Sequence, residues 1–157
     1  MNYKLVKSSI NDIDILIKYK KETIFEYAKN LSNEEIDRIN NYVTNNIPDY
    51  LDNYNNIVIN NKIIGCLLIT NIDDGILLDE IYLEEEYRNK GIGTSIIKNI
   101  IDNNSNIYLW VYKLNKQAIN LYKKLGFIII DETDTRYYMN YKKEKWYEKK
   151  VNIIWLG

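Results

Sequence analysis

Residues 87–94 are the part of the sequence whose residue types could bind an anion. They read Tyr-Arg-Asn-Lys-Gly-Ile-Gly-Thr, follow an apolar run and open a stretch with helical periodicity. Gly91 and Gly93 leave room for a phosphate to approach backbone N–H groups at a helix N-terminus, where those groups lack intrahelical partners. Arg88 and Lys90 add positive charge. The segment therefore predicts a phosphate-binding loop.

Two familiar nucleotide-binding loops do not match this segment. A dinucleotide-binding fold requires a third glycine at position 96, which is isoleucine, and a carboxylate at the end of the next strand, which ends in Trp110-Val111-Tyr112. A P-loop requires Gly-Lys-Ser/Thr after four intervening residues, and that pattern is absent. Nucleotides are therefore not the first choice of ligand.

The amino-acid composition excludes several kinds of catalytic and metal-binding site. The chain has no histidine, which excludes serine or cysteine hydrolase triads and histidine-ligated metal sites, so we expect no metal. Acid and base roles fall to Glu, Asp, Tyr or Lys. The single cysteine, Cys66, lies in the apolar run 63–69 and is expected to be a buried thiol rather than a nucleophile. The net charge of -1 comes from interspersed charges, which argues against a nucleic-acid partner.

Two helices and four strands are predicted before the loop. Residues 3–7 form a short strand, and Ser8 or Ser9 caps a helix with apolar residues at helical spacing as far as Leu31. Ser32 with Glu35 is a capping box that starts a second helix, which Pro48 ends or kinks. The strands 56–59, 63–69 and 76–83 follow as an antiparallel meander, joined by tight turns at Asn60-Asn61 and Asp73-Asp74-Gly75.

After the loop, the pattern changes to alternating helices and strands. A helix over 92–101 connects strand 76–83 to strand 107–111, and such a crossover makes those two strands parallel neighbours. A second helix covers 115–125, with Gly126 at its C-terminus, and strands at 127–130 and 136–141 follow. We therefore expect an α/β (α+β) fold: a mixed, mostly antiparallel sheet of about seven strands with about four helices.

The whole chain, residues 1–157, is expected to be one domain, with 142–157 as a C-terminal extension. No segment approaches the ~20 apolar residues that span a bilayer, so we expect no membrane partner and a cytoplasmic location. The extension ends in the apolar residues Val151, Ile153, Ile154, Trp155 and Leu156. It either packs on its own domain or builds a homodimer interface.

Two motifs together resemble the GNAT superfamily of acyl-CoA-dependent N-acetyltransferases. The first is Arg88-x-x-Gly91-x-Gly93 after an antiparallel meander. The second is residues 115–127, Asn-Lys-Gln-Ala-Ile-Asn-Leu-Tyr-Lys-Lys-Leu-Gly-Phe, about twenty residues further on. The resemblance covers residues 55–141 by motif and the two amino-terminal helices by topology. It implies a GNAT-like domain in which the parallel strands splay apart, with acetyl-CoA as co-substrate.

The resemblance also assigns cofactor contacts. Backbone amides of the loop would hold the coenzyme A pyrophosphate, through Arg88, Asn89, Lys90, Gly91, Ile92, Gly93 and Thr94. The preceding strand end, Ile81-Tyr82-Leu83, would bind the pantetheine arm by main-chain hydrogen bonds, at a bulge in many family members. Asn115 and Tyr122 match positions near the cofactor on the last helix.

Two residues are candidates for proton transfer. Tyr122 would protonate the departing thiolate, because a phenol with a pKa near 10 can donate its proton to the thiolate of a thiol whose pKa is about 8.5. The alternative is a packing role beside Leu121 and Leu125. Glu80 would take a proton from the amine, because it shares a strand face with Leu78 and Tyr82; the alternative is a solvated or ion-paired carboxylate. A glutamate that some family members carry earlier on this strand is Ile76 here.

The acceptor is predicted to be a small cationic amine. The first two helices and the segment after them are rich in acidic and aromatic residues: Glu22, Glu26, Glu34, Glu35, Asp37, Asp49 and Asp52 with Tyr27, Tyr50 and Tyr54. Carboxylates and aromatic rings suit an ammonium group. An ordinary solvated face is the alternative, since basic residues are interleaved. A protein or peptide amine as acceptor, and a non-catalytic acyl-CoA sensor, remain the other functional hypotheses.

Overall fold

A computed structural model of the chain describes residues 2–144, and the predictions for the extension beyond residue 144 lie outside the described residues. The described residues form four α-helices: α1 Ile13–Tyr27, α2 Asn33–Tyr50, α3 Ile92–Asn103 and α4 Lys116–Lys124. The same residues form seven strands: β1 Lys4–Lys7, β2 Tyr54–Ile59, β3 Lys62–Ile72, β4 Gly75–Leu83, β5 Asn106–Tyr112, β6 Ile128–Glu132 and β7 Arg136–Lys142.

The strands form one sheet in the order β1-β2-β3-β4-β5-β7-β6. β4 and β5 are parallel neighbours joined through α3, and the pairs β1–β2, β2–β3, β5–β7 and β6–β7 are antiparallel. This arrangement confirms the predicted fold class and the predicted crossover. Asn60 and Asn61, with φ of 50° and 64°, make the tight turn between β2 and β3 that their side chains favour.

The described residues cluster into two compact units. The first unit comprises residues 2–70 and Leu78–Ile96. Its core packs α1 and α2 on the strands through buried Leu16, Tyr19, Val43, Ile47, Tyr54, Cys66, Leu68 and Tyr82. Ser32 begins α2 as predicted: its hydroxyl accepts from the Glu35 amide at 3.2 Å, and the Glu35 carboxylate accepts from the Ser32 amide at 2.7 Å.

The second unit comprises Asn71–Leu77 and, of the described chain, residues 97–144. Along β5 the burial alternates, and Ile107, Leu109 and Val111 are buried. Buried residues of α4 and β7 in this unit include Ile119, Tyr122 and Met139. Gly126 follows α4 with φ of +103°, the left-handed conformation predicted for its C-terminal glycine.

The structure corrects three local expectations. A 3-10 turn over Ile10–Asp12, opened by Ser9, precedes α1, which starts only at Ile13. Pro48 lies inside α2, which continues to Tyr50. The turn before Gly75 differs from the Asn60-Asn61 turn, since neither aspartate has positive φ. Gly75 is needed for close approach instead, because a Cβ there would lie 2.3 Å from the Asn106 carbonyl oxygen.

Within residues 2–144, no helix combines the length and apolarity needed to cross a bilayer.

Candidate functional site

The predicted anion loop leads directly into α3. Asn89 and Gly91 adopt left-handed conformations, with φ of 58° and +82°, and a Cβ built at Gly91 would meet no described atom within 4 Å. The Ser95 amide donates to the Gly91 carbonyl at 3.0 Å and closes the first helical turn. The amides of residues 92–94 precede that bond, so the helix itself gives them no carbonyl partner. This geometry suits an anion.

Arg88 turns away from the loop and towards the end of β4. Its Nε donates to the Leu83 carbonyl oxygen at 2.7 Å, its guanidinium lies 5.3 Å from the centre of the Tyr82 ring, and Nη1 is 3.8 Å from Glu26 Oε1. In this conformation Arg88 ties the strand end to α1. Lys90 is exposed beside the loop.

The β4 backbone passes unusually close to β3 at the predicted pantetheine segment. A Cβ at Gly65 would lie 2.1 Å from the Tyr82 carbonyl oxygen, so only glycine fits there. One residue past the strand end, the Glu84 amide donates to the Ile64 carbonyl at 2.8 Å. The side chain of Tyr82 is buried, whereas Ile81 and Leu83 are partly exposed.

A cavity of about 420 Å³ lies beside this strand end in the first unit. Its lining residues come from the second half of α1, the end of β4 and the segment that follows, and they are Glu22, Glu26, Tyr82, Glu84, Glu85 and Arg88. Four carboxylates against one guanidinium give the lining residues an excess of negative charge, which favours a cationic guest. Two lysines outside the lining form ion pairs with it. Lys18 Nζ lies 3.9 Å from Glu22 Oε1, and Lys62 Nζ lies 3.7 Å from Glu84 Oε2.

Two tyrosines form hydrogen bonds to two of the four cavity carboxylates. The rings of Tyr19 and Tyr82 stack with centroids 4.6 Å apart. Tyr82 donates to Glu22 Oε2, and Tyr19 donates to Glu84 Oε1 at 2.7 Å. Burial, and then the hydrogen bonds to these carboxylates, raise the pKa of both phenols, so they remain proton donors at neutral pH.

Glu80 is partly exposed on β4, and its carboxyl group is directed to two buried residues. Its Oε2 accepts from Tyr54 Oη at 2.6 Å, and its Oε1 accepts from the Cys66 thiol at 3.5 Å. Burial raises the pKa of Glu80 from its ordinary 4.5, outweighing the lowering effects of the Tyr54 hydrogen bond and of the Lys20 charge. Burial also raises the pKa of Cys66, which is fully buried and therefore no nucleophile.

The remaining candidates lie in the second unit. Tyr122 is buried on α4, and its ring centroid is 5.6 Å from that of Phe127. Asn115 caps α4, because its Oδ1 accepts from the Ala118 amide at 3.2 Å. The cofactor and acid roles of these two residues remain predictions.

A comparison with models of protein families agrees with this architecture. The model of the Acetyltransferase (GNAT) family matches residues 19–127, more than half of the chain. The chain belongs to the GNAT family. This is the family that the two sequence motifs indicated.

Individual proteins match this GNAT chain either over a short segment or at low sequence identity. Over 56 residues it is 43% identical to thialysine N-epsilon-acetyltransferase of Mus musculus, but the match spans only 32% of the chain and 33% of the mouse protein. PaiA N-acetyltransferase from Thermoplasma acidophilum, in complex with coenzyme A, superposes with a TM-score of 0.74 at 22% identity, over 90% of this chain and 99% of that one. PH1933 from Pyrococcus horikoshii OT3 gives 0.69 at 22% identity, over 92% and 100%.

Only part of the predicted acceptor region of this GNAT chain lines the cavity. Glu22 and Glu26 line the cavity. The Tyr54 hydroxyl instead donates to Glu80, and the Glu35 carboxylate caps α2. Sequence reasoning missed the side chains that follow β4, although the run Glu84-Glu85-Glu86 next to the loop was a usable signal. Within the described part of the chain, no three His, Cys, Asp or Glu side chains gather as metal ligands.

Proposed function

We propose that this GNAT protein transfers an acetyl group from acetyl-CoA to the primary amine of a small cationic molecule, by direct attack in a ternary complex. The observation that carries the proposal is the acidic cavity at the end of β4, beside the anion loop. Its four glutamates suit an ammonium group, and the adjoining helix N-terminus suits a pyrophosphate.

Acetyl-CoA fits the residues that would hold it. The open space at Gly91 and the amides that start α3 favour the pyrophosphate, and the main chain of Ile81-Tyr82-Leu83 is the proposed pantetheine contact. Asn115 and Tyr122 are proposed as further contacts. When bound, acetyl-CoA supplies a thioester that an amine can attack.

The cavity supports a small amine as acceptor. A volume of about 420 Å³ is within the range of small-molecule sites, and two of its four carboxylates, Glu22 and Glu84, are held by tyrosine hydroxyls before any ligand arrives. Such preorganised charges bind a cation without reorganisation. The name of the mouse relative, a thialysine N-epsilon-acetyltransferase, supports an amine acceptor over the short segment that matches.

Proton handling is assigned to Glu80 and Tyr122. An alkyl ammonium is almost wholly protonated at neutral pH, so a base has to take its proton, directly or through water. The raised pKa of Glu80 improves it as a base, and its oxygens keep lone pairs beyond those used by Tyr54 and Cys66. Tyr122 carries, on its Oη, the proton that a departing thiolate takes up.

The test is an assay of free thiol release from acetyl-CoA across a panel of polyamines, aminoglycosides, amino acids and peptides. We expect turnover with small cationic amines, and an increase in Tm with acetyl-CoA alone. Turnover with peptides only would overturn the small-amine acceptor in favour of a protein or peptide acceptor. Silence across the panel, with the Tm increase intact, would favour an acyl-CoA sensor.

A further inference from the structure

One face of the β5–β7–β6 part of the sheet carries aromatic and apolar side chains that the described helices of its unit leave partly exposed. Residues directly opposite each other on neighbouring strands point to the same face. Tyr108, Asn140 and Ile128 form one such row, and Trp110, Tyr138 and Asp131 form the next. We call the surface of Tyr108, Trp110, Tyr138 and Ile128 the aromatic face.

The aromatic face is tightly organised but incompletely covered. The Tyr138 ring stacks on Tyr108 and Trp110, with centroids 5.4 Å and 4.4 Å apart. The three rings are partly exposed, and Ile128 is 62% exposed. By contrast, Met139, the neighbour of Tyr138 that points to the opposite face, is fully buried. Partly exposed rings beside an exposed isoleucine form an apolar surface that a further segment can cover.

The chain leaves the sheet at the edge of this face. β7 ends at Lys142, opposite Asn106, and the Lys143 amide donates to the Ser105 carbonyl at 2.7 Å. This exit lies next to the row of Tyr108, Asn140 and Ile128. Residues 145–157 follow, and at about 3.3 Å per extended residue they could reach about 40 Å, well beyond the ~23 Å length of a seven-residue strand.

The amino-acid composition of residues 145–157 is typical of a segment that covers an apolar surface. Its first half is charged, and its second half contains Val151, Ile153, Ile154, Trp155 and Leu156. We propose that residues 151–156 dock on the aromatic face of their own chain. A short tether gives the segment an effective concentration in the millimolar range at that face, far above that of a second copy in dilute solution. The proposal does not depend on the acceptor amine.

A cross-linking experiment on the full-length chain tests the placement. The variant Ile128→Cys/Ile154→Cys is treated with a short bis-maleimide, while native Cys66 is fully buried. We expect an intramolecular cross-link by mass spectrometry. The matched variant Ile129→Cys/Ile154→Cys places its cysteine opposite Met139, on the other face, and should give at least tenfold less. Equal yields, or no product from the first variant, would overturn the proposal, and cross-links between chains would replace it with exchange between two copies.

A stability measurement supplies an independent outcome. Trp155→Asp should lower Tm by about 5 °C, because a large apolar side chain loses its buried site. The control Asn152→Asp, a polar change within the same segment, should leave Tm within about 1 °C. An unchanged Tm for Trp155→Asp would overturn the docking.

Discussion

The phenol of Tyr54 donates a 2.6 Å hydrogen bond to Glu80, and both residues belong to the first unit. Tyr54 is fully buried, so its hydroxyl draws the carboxyl group of the partly exposed Glu80 against the core of α1 and α2. This environment favours the protonated acid, because burial penalises the charged form. Glu80 should therefore influence both stability and catalysis as a function of pH.

The first prediction concerns the pH dependence of stability. Because the folded-state pKa of Glu80 is raised above its ordinary 4.5, its contribution to stability is full below about pH 4.5 and is lost as the pH rises through the folded-state pKa. Relative to Glu80→Gln, the native chain should lose about 1.4 kcal/mol per pH unit within that window. Urea unfolding of both proteins from pH 4 to 8 measures the difference.

The control is Asp37→Asn, which removes a carboxyl group from an exposed position of α2, away from Glu80. The pH-dependent loss attributed to Glu80 should persist in this variant. A native-minus-Glu80→Gln difference that stays flat from pH 4 to 8 would mean that Glu80 titrates normally, and the buried-acid interpretation would then be wrong.

The second prediction concerns the acid role of Tyr122. Tyr122→Phe keeps the buried ring beside Phe127 and removes only the hydroxyl. We expect kcat to fall about 100-fold, because general acid catalysis contributes at least that much, while the Tm increase with acetyl-CoA stays nearly intact. Tyr108→Phe, which loses a 2.9 Å hydrogen bond to Asp74 in the same unit, is the matched control and should keep native turnover. Equal turnover in Tyr122→Phe would remove it from catalysis.

Local features of the fold were predictable from the sequence, whereas the pairings within the site were not. Asn60-Asn61, the Ser32 capping box and Gly126 act through their own backbone neighbours, so a few residues suffice to identify them. The Tyr82–Glu22 and Tyr19–Glu84 bonds join residues 60 and 65 positions apart. Such pairs depend on how α1 packs against β4, which helical periodicity does not specify.

The third prediction separates the two glycines of the loop. Gly91→Ala should lower stability by about 1 kcal/mol, because φ of +82° strains any residue with a Cβ. Gly93→Ala should not, since its Cβ would make an ordinary 3.8 Å contact with Leu83 Cδ1. It should instead reduce the Tm increase with acetyl-CoA, if the pyrophosphate approaches the backbone there. Thermal melts with and without acetyl-CoA measure both effects; an unreduced increase in Gly93→Ala would exclude that close approach.

The fourth prediction concerns the charge of the cavity. Glu22→Gln keeps an acceptor for the Tyr82 hydroxyl but removes one negative charge from the lining. We expect KM for a cationic amine to rise about tenfold, the effect of losing about 1.4 kcal/mol of charge attraction, while KM for acetyl-CoA stays the same. The rise should shrink at high salt, because the amine is attracted from solvent. Glu34→Gln removes the same charge from an exposed position outside the cavity lining and should leave KM unchanged. If both variants raise KM equally, the attraction comes from the general field of the protein, and the cavity is not the amine site.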